Sequence, residues 1–156
     1  MSISPSEIIR RNLSDFNKKI TRTTLYLRNM VLKQLHCVIE ILEEHPDGSF
    51  SLHYSLNERL ENSFWQISVS NDRVLIRIPE IFAMKDTAWV SKDFPLPQTE
   101  VIQVDRLDSI PKSYLNILVQ DAYMKAHRNE INPTFGYLFK VIPRKLLPRK
   151  AVDNKI

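Results

Sequence analysis

The chain reads as a single α+β domain. A long N-terminal helix is expected to pack on an antiparallel β-meander, followed by a second helix, a last strand and an extended basic C-terminal arm. Three observations predict this class. Apolar residues recur every three or four positions from Ile9 to Ile41, the spacing of one helix face. Between 49 and 78 the pattern changes to strict alternation, the period of a strand with one covered face. From Pro143 to Lys150 two prolines and four basic residues surround Leu146 and Leu147, which suits neither a regular helix nor a central strand.

The helical region is assigned to 5–44. Ser4, Pro5 and Glu7 have the spacing of a capping box with proline at the first helical position. The stripe Ile9, Leu13, Phe16, Ile20, Thr23, Leu27, Met30, Gln34, Cys37, Ile41 follows. The run "TRTT" at 21–24 marks a candidate break, because threonine crowds the preceding turn. Residues 25–44 are apolar nearly all round and read as the central core helix, ended by "HPDG".

The meander is assigned to 49–78. Phe50, Leu52, Tyr54 and Leu56 share one face, and Ser49, Ser51, His53 and Ser55 the other, which is expected to be wet. "WQISVS" and "VLIRI" continue the alternation. A helix is predicted over 110–130, stopped by Asn132-Pro133, and "YLFKVI" reads as the final strand. The division is therefore one domain over 1–142 and a basic tail over 143–156.

At 156 residues, with 43% hydrophobic and 26% charged residues, the chain suits about one globular domain. No apolar run approaches the roughly 20 residues that span a bilayer, so no membrane association is expected. Cys37 is the sole cysteine, which predicts a reducing, cytoplasmic setting. The net charge of +4 is unevenly spread. Residues 1–33 hold seven basic residues against Glu7 and Asp15, and residues 125–156 hold eight against Glu130 and Asp153. The middle of the chain is acidic by comparison.

Signatures of catalysis are missing. With glycine only at 48 and 136, no Walker loop, dinucleotide fingerprint or nucleophile elbow can be written. His36 and Cys37 are neighbours, and no metal-ligand spacing such as C-x-x-C occurs, so no metal or cofactor is expected. His53 is the one candidate acid or base, given a partner such as His127 or Glu58. The acidic run Glu40, Glu43, Glu44 and Asp47 reads as a solvated helix end awaiting a basic neighbour.

These features predict a non-enzymatic binding protein, a small accessory or regulatory subunit. Its anchors for a protein partner, or for a second copy of itself, would be Ile9, Leu13, Phe16, Ile20, Leu146 and Leu147. Arg10, Arg11, Lys18, Lys19, Arg144, Lys145, Arg149 and Lys150 would face acidic groups on that partner. The alternative is nucleic-acid binding, with the same eight residues on phosphates and Trp65, Trp89, Tyr137 or Phe139 stacking on bases. A small enzyme centred on His53 is the third reading.

Overall fold

The computed structural model describes residues 3–82, 101–104 and 111–144. Two N-terminal helices, α1 (Pro5–Leu13) and α2 (Lys18–Gln34), precede strands β1 (Val38–Glu44), β2 (Phe50–Ser55), β3 (Trp65–Val69), β4 (Val74–Arg77) and β5 (Val101–Gln103). Helix α3 (Lys112–Asn129) and strand β6 (Tyr137–Ile142) complete the order. The strands form one mixed sheet in the order β5-β4-β3-β2-β1-β6. Every neighbouring pair is antiparallel except β1–β6. The α+β class and the meander are therefore as expected.

The long helix is not. Ser4 caps α1 as its spacing indicated, its Oγ accepting the Glu7 N–H at 3.2 Å. The helix then ends at Leu13, and α2 restarts behind Asn17, whose Oδ1 accepts the Ile20 N–H at 2.8 Å. An asparagine N-cap outcompetes continued helix, so the break falls at 14–17 and not at 21–24. Thr23 and Thr24 sit inside α2 with their side chains buried.

The second correction concerns 38–44, which is a strand and not the end of a helix. Val38, Ile39, Ile41 and Leu42 are all buried, because β1 lies between β2 and β6 and is covered on both faces. A strand buried on both faces loses its alternation and reads like a buried helix. The turn at Asp47-Gly48 is present, but it joins β1 to β2. Gly48 takes φ +92°, and Asp47 Oδ1 accepts the Ser49 N–H at 2.9 Å.

Leu52, Tyr54, Trp65, Ile67, Val69 and Ile76 share one core with Leu27, Met30 and Val31 of α2 and Leu115, Leu118 and Val119 of α3. Helices α2 and α3 therefore cover one face of the sheet. Gln34 of α2 donates to Asn116 of α3 at 2.7 Å, and Tyr123 of α3 meets Phe64 edge-on at 5.7 Å. The opposite face is not the wet one expected. Ser51, His53 and Ser55 are buried, each hydrogen-bonded to a nearby polar side chain. Among the described residues no helix is long and apolar enough to cross a membrane.

Candidate functional site

Helix α3 carries the chain from one edge of the sheet to the other, and β6 arrives parallel to β1. Gly136, at φ +75°, turns the chain into the strand, and its carbonyl accepts the Val38 N–H at 3.1 Å. That bond sets the ladder. In a parallel pair alternate residues bond the neighbour, so the backbone groups of Leu138 and Lys140 face β1. Those of Tyr137, Phe139 and Val141 point away from the sheet. Among the described residues no strand pairs with that side.

The side chains along this edge are apolar and accessible. Phe135 is 96% exposed, Leu138 47%, and Tyr137 and Val141 39% each. The strip covers both faces of β6, since Tyr137 and Val141 lie on the helix side and Leu138 on the other. An outer strand with free backbone groups and apolar side chains is a template for another strand, which proteins ordinarily blunt. Here Lys140 in the middle and Pro143 at the end limit that template without closing it.

Beneath the edge lies a polar anchor. Glu40 of β1 has no exposed surface, and its carboxylate accepts four donors. Arg28 of α2 gives two, Nε to Oε2 at 2.8 Å and Nη2 to Oε1 at 3.0 Å. The Tyr54 hydroxyl gives the third at 2.7 Å, and the Tyr137 hydroxyl the fourth. Arg28 also donates from Nη1 to Ser6 Oγ at 3.2 Å, which brings α1 into the same network. Burial, then the Glu40 carboxylate, holds both phenols above their ordinary value, with Arg28 opposing. Burial works against the Arg28 charge, yet the Glu40 hydrogen bonds and charge outweigh it and raise its pKa. The network fixes β6 at Tyr137. At the far end the Arg144 N–H donates to Glu44 Oε1 at 3.2 Å, and Lys140 pairs with Glu58 at 3.4 Å.

The residues singled out from sequence are distributed as follows. Ile9, Leu13 and Ile20 are buried in the core, so this part of the stripe is used inside the fold and cannot anchor a partner as expected. Phe16 is half-buried, edge-on to Phe50 at 5.9 Å. Arg10, Arg11, Lys18 and Lys19 are exposed on α1 and α2. Arg11 and Arg144 meet in a groove of about 400 Å³, but Asp15, Glu44 and Asp47 line it with them. Trp65 is wholly buried and unavailable for base stacking. Lys145, Leu146, Leu147, Arg149, Lys150 and Trp89 lie outside the described residues.

The acidic run is not a solvated helix end. Glu40 is the buried anchor, Glu43 accepts from His53 Nε2 at 3.0 Å, and Glu44 receives the backbone that follows β6. His53 therefore has a carboxylate partner, but neither of the two proposed. Beside it His45 Nε2 lies 3.1 Å from Ser51 Oγ and 4.0 Å from Glu43 Oε1. A serine–histidine–carboxylate relay needs the acid on the other ring nitrogen, and here one nitrogen faces both groups. Burial lowers the His53 pKa despite Glu43, which keeps the ring neutral at pH 7. These contacts stabilise the strand turn and do not assemble a nucleophile.

No protein-family model, curated protein or solved structure matches the chain. The site has to be read from its own geometry.

Proposed function

We propose that this protein is a non-enzymatic binding protein, a small accessory or regulatory subunit that docks an extended segment of a protein partner along the outer edge of β6. The observation that carries this reading is the coincidence of backbone groups at Tyr137, Phe139 and Val141, which no described strand pairs, with the exposed side chains of Phe135, Leu138 and Val141. Strand addition takes its affinity from main-chain hydrogen bonds and its selectivity from alternate side chains. Burying the exposed Phe135 contributes roughly 1.5–3 kcal/mol, and the half-exposed Leu138 and Val141 about half as much each, before the losses of association. Anchorage of Tyr137 on Glu40 lowers the ordering needed when a partner binds.

The test compares Leu138→Asp and Val141→Asp with Met124→Asp, a control at an exposed apolar position on α3. Tagged chains are recovered from the native cell, and bound proteins are identified. The expected result is a partner held by the wild type and by the Met124 variant and lost from both edge variants. Amides of Tyr137, Phe139 and Val141 should then exchange more slowly in the purified complex. Equal retention by all four chains would remove the reading. Nucleic-acid binding is the weaker alternative. Arg10, Lys18 and Lys19 remain available to it, but Arg11 and Arg144 face three carboxylates and Trp65 is in the core.

A further inference from the structure

Between α1 and α2 lies a second groove, of about 550 Å³, whose charge is uncompensated among the described residues. Arg10 stands on α1, and Lys18 and Arg22 stand one turn apart on α2. Among the described residues no carboxylate lines the groove. The side chains of Arg10, Lys18 and Arg22 make no ion pair or hydrogen bond among the described residues. The first turn of α2 holds no acidic residue to offset the positive end of its dipole. Its floor is apolar, formed by Leu13, Phe16 and Leu25.

The neighbouring groove is balanced. Phe16 lines both. On one side of it, Arg11 and Arg144 are balanced by Asp15, Glu44 and Asp47. On the other, Arg10, Lys18 and Arg22 line one groove with no carboxylate among the described residues. The fold neutralises one basic cluster internally and leaves the other open.

We propose that this groove binds an acidic amphipathic segment of a protein partner. Its carboxylates would lie on Arg10, Lys18 and Arg22, and its apolar side chains on the half-buried Phe16 and Leu25. Charge complementarity selects the rim, and the apolar floor selects a peptide over a nucleic acid. Phosphates would use the cations but leave Leu25 uncovered. The single aromatic group, Phe16, is half-buried against Phe50 and is a poor stacking platform. The site is separate from the β6 edge and stands whether or not that edge pairs.

The probe is a fluorescein-labelled helical peptide of leucine on one face and glutamate on the other. Three comparison ligands accompany it: glutamate changed to lysine, leucine changed to serine, and a single-stranded oligonucleotide. The protein is used as the full chain and as the triple variant Arg10→Glu, Lys18→Glu, Arg22→Glu. All three positions are exposed, and circular dichroism checks the fold. Binding of the glutamate–leucine peptide should weaken at least about tenfold in the triple variant and with the serine peptide. The lysine peptide should bind the triple variant better than the wild type. Amide shifts at Leu13, Phe16 and Leu25 should locate the complex. Absence of peptide binding at low salt would overturn the proposal, as would equal binding of the serine peptide. Oligonucleotide binding that disappears in the triple variant while the peptide does not bind would make the groove a phosphate site instead.

Discussion

Arg28 and Glu40 form a bidentate pair at 2.8 and 3.0 Å, with the carboxylate fully buried and the guanidinium nearly so. The pair joins α2 to β1, and the two tyrosines extend it to β2 and β6. A buried ion pair is weak proof of stability, because desolvation offsets the attraction. Breaking it is another matter. Glu40→Gln leaves an unpaired cation beneath the sheet and should destabilise the fold by about 3–5 kcal/mol. Removing both charges with Arg28→Met and Glu40→Leu should recover part of that loss. Full recovery is not expected, because the buried Tyr54 hydroxyl remains unsatisfied at about 1–3 kcal/mol. Urea unfolding of both variants beside the wild type measures this.

The same tyrosines make stability depend on alkaline pH. Burial and the neighbouring carboxylate raise both phenols above 10.0, whereas an unfolded tyrosine ionises near that value. The contribution is therefore whole below pH 10 and is lost as pH rises from there. Thermal unfolding across that range should fall more steeply for the wild type than for Tyr54→Phe or Tyr137→Phe.

His53 gives the opposite sign. Burial lowers its pKa below 6.5, so below that pH the unfolded chain binds a proton that the native ring resists. Glu43 and His45 are the titratable groups facing it. Stability should decline as pH falls from about 6.5 through the native value. His53→Gln should flatten that decline, read as denaturation midpoints between neutral and mildly acid pH.

A pair of leucines separates the core from the docking edge. Leu13 is buried, and Leu13→Ala should remove about 2–5 kcal/mol of stability. Leu138 is half exposed, and Leu138→Ala should change stability by no more than about 0.5 kcal/mol while weakening partner binding. A stability loss at Leu138 comparable with that at Leu13 would place the edge inside the fold.

What could be read in advance follows from how many faces of an element are covered. Phe50, Leu52 and Tyr54 alternate with Ser51 and His53, so β2 was legible as a strand. Residues 38–42 carry apolar side chains on both sides, and the helix reading followed from the lost alternation. Ile9, Leu13 and Ile20 were recognised as one face, but a sequence does not say whether a stripe meets its own sheet or a stranger. Glu40 was hidden for a related reason. Its partners Arg28, Tyr54 and Tyr137 are 12, 14 and 97 positions away, and nothing local marks a carboxylate for burial. The run from Tyr137 to Ile142 is legible as a strand, yet its place at the edge depends on the α3 crossover. Only the fold supplies that.

Those three separations also set an order of assembly. Arg28 and Tyr54 can reach Glu40 as soon as α2 and the first hairpin exist, whereas Tyr137 must wait for α3 to be made and to cross the sheet. During synthesis the flank of β1 that will receive β6 stays open the longest, and the carboxylate beneath it lacks its fourth donor. Contacts so distant along a chain form slowly, and open strand edges are where nascent proteins go astray. The Tyr137 hydroxyl thus acts as a late latch, and a ribosome-bound chain that stops short of it should be the form that chaperones hold.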